Sequence, residues 1–137
     1  MDDNLFLPDH DPTSELEAIK KSRACILSFT EKFNDRDLAG MDGMLHFPHI
    51  ILSGEKMEIW ASPSRLPDDF FEQLSAATGW ASSVYESIDP VLVSPRKVHF
   101  IVEYSRRRAD QSIITIHKNL WVVTHEQYRW GIKLRSY

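Results

Sequence analysis

At 137 residues the chain is long enough for one domain that hides about two-thirds of its unfolded surface from water. Its 42% hydrophobic and 26% charged residues are ordinary proportions for a soluble globular protein. A net charge of −4 speaks against a nucleic-acid partner, because phosphate binding needs a concentrated positive field.

Other classes fall away on specific residues. Cys25 is the only cysteine, so no internal disulfide and no thiolate metal cage can form. Flanked by Ala24 and Ile26, it reads as a small apolar filler. No apolar run reaches the roughly 18–20 residues of a membrane span. The opening residues carry Asp2, Asp3, Asp9 and Asp11, the reverse of a basic signal-peptide start, so cytoplasmic residence without membrane contact is expected. A glycine-rich phosphate loop and a Gly-x-Ser-x-Gly elbow are both missing, which argues against ATP, simple nicotinamide and serine-hydrolase chemistry; no cofactor is expected.

Residues 1–12 read as an extended arm, with Pro8 and Pro12 among the acids and Leu5-Phe6-Leu7 available to dock on the body or on a neighbouring subunit. Residues 13–137 read as one domain. Thr13 or Ser14 can cap a first helix, with Glu15 and Glu17 in the turn where the helix dipole favours acids. Leu16, Ile19, Ile26, Phe29 and Phe33 then recur at helical spacing as an apolar stripe. Asp37 can cap a short second helix carrying Leu38, Met41 and Leu45, which Pro48 is expected to end. Residues 49–53 and 56–61 form a hairpin over Ser53-Gly54-Glu55. A third helix opens at Pro67-Asp68-Asp69, carries Phe70, Phe71, Leu74 and Ala77, and stops at Gly79.

Four strands follow, at about residues 82–93, 97–105, 112–125 and 128–136. The order α-α-β-β-α-β-β-β-β, with short links between strands, predicts an α+β domain with mainly antiparallel pairing. In the second of these strands Val98, Phe100, Val102 and Tyr104 alternate with His99, Ile101, Glu103 and Ser105. In the third, Ile114, Ile116, Leu120 and Val122 alternate with Thr115, His117, Asn119 and Trp121. A hairpin over residues 106–110 would set His99 opposite His117 and gather His99, Glu103, Thr115, His117, Asn119 and Trp121 on one mixed face. The Arg106-Arg107-Arg108 run reads as a solvated turn.

From residue 13 onward this order resembles the nuclear transport factor two-like superfamily, also called SnoaL-like or cystatin-like cone proteins. Phe33-Asn34-Asp35-Arg36-Asp37-Leu38 between the first two helices and Trp130-Gly131-Ile132 in the last strand carry the resemblance. It implies a curved antiparallel or mixed sheet of six strands wrapped round the long first helix, an apolar cavity at the open end, and a homodimer joined through the outer sheet face. Many relatives place an aspartate just after the second helix; here the run is Leu45-His46-Phe47-Pro48-His49. Activities in the family include ketosteroid isomerases, scytalone dehydratases and polyketide cyclases, so the fold alone does not select one.

Two functions follow as expectations. The first is a binding domain for a small hydrophobic ligand, with His46, Trp60, His99, Trp121 and Trp130 as candidate contacts. The alternative is a cofactor-free isomerase, dehydratase or cyclase acting on a small hydrophobic carbonyl compound, with His49, Glu103 and His117 as candidate acid–base residues. Neither Glu-x-x-His nor His-Glu-x-x-His accompanies His46 and His49, so no metal site is expected. A transport or interaction module with a filled interior is a third possibility, which a cavity plugged by Trp and Phe side chains would favour.

Overall fold

Elements appear in the expected order in a computed structural model that describes residues 12–137: α1 (Pro12–Asn34), α2 (Leu38–Gly43), β1 (Leu45–Ser53), β2 (Lys56–Trp60), α3 (Phe70–Thr78), β3 (Ser82–Ser94), β4 (Lys97–Arg107), β5 (Ile113–Glu126) and β6 (Arg129–Ser136). The Leu5-Phe6-Leu7 segment lies outside the described residues.

Helix α1 starts at Pro12, where the first turn needs no proline N–H. Its buried stripe is Ala18, Ser22, Cys25, Ile26 and Phe29, continued by the partly buried Phe33. Leu16 stays 71% exposed, because it lies two residues, roughly 200° of helical rotation, from Ala18. Asp37 caps α2 as expected, its carboxylate accepting from the Gly40 N–H at 2.9 Å. The helix ends earlier than predicted, at Gly43, and Leu45 already belongs to β1. Pro48 therefore sits inside a strand. It occupies the stretch between Leu45 and Ile50 where the β1–β6 ladder shifts register, so its missing N–H costs no ladder bond. Gly79 closes α3 in the left-handed conformation, φ 76°, with its N–H on the Ser75 carbonyl at 2.8 Å.

The sheet has six strands in the order β2-β1-β6-β5-β4-β3. β1 and β6 pair parallel and the other neighbours antiparallel, which makes an open mixed sheet with β2 and β3 as its edges. Helix α1 lies against β3, β4, β5 and β6. Beneath it Val98, Phe100, Val102, Val123 and Ile132 are fully buried, each such side chain contributing about 1.5–3 kcal/mol of transfer free energy. Phe33 joins α1 to α3 through ring contacts with Phe70 at 6.2 Å and Phe71 at 5.0 Å, and meets Trp80, just past the end of α3, at 5.2 Å.

The alternation read in β4 and β5 is present in each strand, but their register differs from the expectation. His99 faces Val122 and His117 faces Tyr104. β4 runs on through Arg107 and β5 begins at Ile113, so the turn centres further along the chain than a loop over residues 106–110 would. The partner of His99 is thus displaced by 122 − 117 = 5 positions along β5, and an odd displacement reverses which faces match. Asn119 and Trp121 join Val102 and Phe100 on the face toward α1; His99 and Glu103 lie on the opposite face. Arg106, read as part of a solvated turn, belongs to β4 and is half-buried.

A second irregularity decides the site. Val122 pairs with Leu134 but Val123 pairs with Ile132, which leaves Lys133 as an extra residue in β6. Ile132 and Arg135 consequently share the inner face although three positions separate them, and Arg135 stands beside Trp121.

Candidate functional site

A cavity of about 700 Å³ opens between α1, α2, the 61–69 connection and the inner face of the sheet. Phe29 and Phe33 from α1, Trp60 from the end of β2, Phe70 from α3 and Trp121 from β5 give it an aromatic wall. Phe29 and Trp121 meet edge-on at 5.7 Å, so Phe29 braces the ring that the β5 register turns inward.

Polar and charged side chains line it as well. Arg106, Arg129, Arg135 and Tyr104 reach it from the sheet, and Asp42 and Asp68 from the α2 and loop side. Arg129 is committed to the fold, donating to the carbonyls of Gly43 at 3.1 Å and Leu45 at 2.8 Å. Asp42 accepts the Ser64 N–H at 3.0 Å and holds the loop. Burial raises the Tyr104 hydroxyl above its ordinary value, with Tyr137 adding to the effect, so it stays a neutral donor.

Arg135 is the most unusual of these groups. It is 8% exposed, and its guanidinium lies 5.3 Å from the Phe29 ring centre and 5.6 Å from that of Trp60. Its Nε–H donates to His49 Nε2 at 3.0 Å, while His49 Nδ1 lies 2.9 Å from the Ile132 carbonyl. A carbonyl can only accept and an arginine can only donate, so His49 carries its proton on Nδ1 and is neutral. Burial first, and Arg135 second, push the His49 pKa down to about 3.

Of the residues expected at the site, Trp60 and Trp121 line the cavity. His49 stands behind Arg135 and is itself wholly buried. His46 is also buried, with Nε2 shared between the Thr124 and Arg129 carbonyls, both at 3.1 Å. Burial, then Arg129, lowers its pKa. His117 stacks on Tyr104 at 5.0 Å and bonds Thr115 Oγ1 through Nε2 at 2.8 Å, without being part of the lining. Trp130 packs on His125 at 5.4 Å, away from the wall. His99 and Glu103 occupy the outer face, across from Val122 and Lys118. Burial and Lys97 lower the His99 pKa.

Sequence reasoning missed Arg106, Arg135, Tyr104 and Phe29 as wall residues. Tyr104 and Phe29 were legible as buried positions; Arg135 was not, because simple alternation from Ile132 points it outward. Among the described residues no group of His, Cys, Asp or Glu is placed to hold a metal ion, and no helix is long and apolar enough to cross a membrane.

A helix laid over an open mixed sheet, with a cavity between them, defines an α+β domain built in two layers. No family model matches the sequence and no curated protein resembles it closely enough to match. Solved structures do. An NTF2-like protein with a cystatin-like fold from Novosphingobium aromaticivorans is similar at TM-score 0.64 and 10% identity, over 88% of this chain and 80% of that one. A candidate scytalone dehydratase from the same organism is similar at TM-score 0.62 and 11% identity, over 92% and 86%. A candidate ketosteroid isomerase from Shewanella frigidimarina is similar at TM-score 0.60 and 12% identity, over 85% and 93%. At such identities the likeness establishes architecture: the chain has the nuclear transport factor two-like fold.

Proposed function

We propose that the chain is a binding domain for a small, largely apolar molecule held in the cavity between α1 and the sheet. The observation that carries the reading is the hollow itself, about 700 Å³, with an aromatic wall and a set of polar and charged side chains facing it. Ligand sites typically enclose about 300–1,000 Å³ and have this composition. Trp60 and Trp121 serve as the flat contacts. Structural neighbours named as a dehydratase and an isomerase fit the same class of small-molecule domain. Binding is preferred over acid–base turnover because none of the candidate bases His49, Glu103 and His117 lines the cavity, and both ring nitrogens of His49, behind Arg135, are occupied. Exposed Val84 and Ile116, which flank Ser105 in one row of the outer sheet face, support the homodimer implied by the resemblance.

Ligand-observed NMR against a library of aromatic and alicyclic fragments tests the reading. Ile51 lines the cavity, so Ile51→Trp should narrow it and weaken the hits. No hits at all, or hits of unchanged affinity in a folded Ile51→Trp protein, would refute it.

A further inference from the structure

The proposal below rests on the binding reading and names the chemistry of what is bound. Arg135 combines a permanent charge with burial and with no counter-ion. Ion pairs among the described residues are Lys21–Glu17, Arg65–Glu58, Arg107–Glu86 and Lys133–Glu126, and Arg135 takes part in none. Its one protein hydrogen bond goes from Nε to a neutral imidazole, which fixes the guanidinium without cancelling its charge. Both Nη groups are left without a protein partner among the described residues, on a side chain that lines the cavity. Phe29 and Trp60 hold the guanidinium in place. An apolar occupant alone would strip water from this cation and leave it uncompensated, a strongly unfavourable state.

We infer that the occupant carries a carboxylate on a flat apolar body, and that Arg135 binds this carboxylate through its two Nη groups. A planar fork with both Nη groups free matches a carboxylate in the two-bond geometry. The charge of the partner follows from its surroundings. Arg129 already spends its fork on the Gly43 and Leu45 carbonyls, and Asp42 and Asp68 add negative charge to the wall. Arg106 also reaches the wall and is likewise in no ion pair, but among the described residues no hydrogen bond or ring contact fixes its guanidinium as His49, Phe29 and Trp60 fix that of Arg135. One fixed fork, on a wall where three arginines face two aspartates, suits a monoanion, and a phosphate dianion would be over-charged for it. His49 acts as a positioning residue: it holds Nε and leaves the opposite edge of the guanidinium to the ligand.

Isothermal titration with naphthalene-2-carboxylate, the neutral ketone 2-acetonaphthone and 2-naphthyl phosphate tests this. Wild-type protein should prefer the carboxylate to the ketone by about 10- to 100-fold, the scale of a charge-assisted hydrogen-bond pair at a buried site. Arg135→Met should erase that preference while ketone binding persists, and Arg135→Lys should restore part of it, which also guards against a folding defect in the methionine variant. Equal affinity for carboxylate and ketone, tighter binding of the phosphate, or a preference that survives in Arg135→Met would overturn the carboxylate assignment and leave the binding reading standing. Failure of all three probes to bind would remove the binding reading and the assignment together.

Discussion

His49 should make the protein acid-sensitive well above the pH at which carboxylates titrate. Its folded pKa is pushed from 6.5 down to about 3, so the unfolded chain takes up a proton that the folded protein refuses. The stability this group contributes is fully present above pH 6.5 and is lost progressively as pH falls toward 3. At pH 5, about 1.5 units below the unfolded value, the loss is about 2 kcal/mol at roughly 1.4 kcal/mol per unit, and by pH 3 it approaches about 5 kcal/mol. The cause is local. Protonating Nε2 would put a hydrogen on the atom that accepts from Arg135 and set two cations 3.0 Å apart, with Lys133 adding to the positive charge. His46, His99 and His117 are also shifted downward and add to the same trend, so the His49 share must be isolated by substitution. His49→Gln can keep both hydrogen bonds without titrating. Urea unfolding of wild type and His49→Gln at pH 7 and pH 5 provides the comparison. The wild type should lose about 2 kcal/mol more than the variant between the two values. Equal losses would mean that His49 is not held neutral by its neighbours, and the account of Arg135 would fail with it.

Two other outcomes follow from close contacts. Gly131→Ala would place a methyl 2.7 Å from His46 Cδ2 and 2.9 Å from Arg129 Nη1, so it should destabilise by about 1–3 kcal/mol in denaturant unfolding; a neutral result would show that the β5–β6–β1 junction yields easily. Cys25 is 7% exposed and burial pushes its thiol up to about 11, so at pH 7.5 a thiol reagent should label it only as fast as the protein unfolds. Rapid labelling of the native protein would contradict the placement of α1 on the sheet.

Local chemistry made much of the fold legible. Asp37 and Gly79 each need only a few neighbours to act as a cap or a stop, so they could be read without tertiary structure, whereas α3 opens at Phe70, after the Pro67-Asp68-Asp69 run, with no side-chain cap from Asp69. Pro48 misled because proline ends a helix and also fits a strand where the ladder shifts, and only the β1–β6 pairing distinguishes the two. The wall chemistry was hidden for a related reason. Alternation separates the two faces of each strand but does not say which faces of two strands match. The β4–β5 turn settled that for Trp121, and Lys133 settled it for Arg135. Candidate histidines stood out in the sequence as chemically versatile groups. Their ring partners are mostly backbone carbonyls or nearby side chains, contacts that composition and spacing do not encode.

The supernumerary Lys133 has a consequence for aligning this chain with others of the same fold. One codon gained or lost there would rotate everything downstream by half a turn, exchanging an interior cation for whatever precedes it. An alignment column that matches arginine with arginine across such an indel would therefore equate a group inside the hollow with one bathed in solvent.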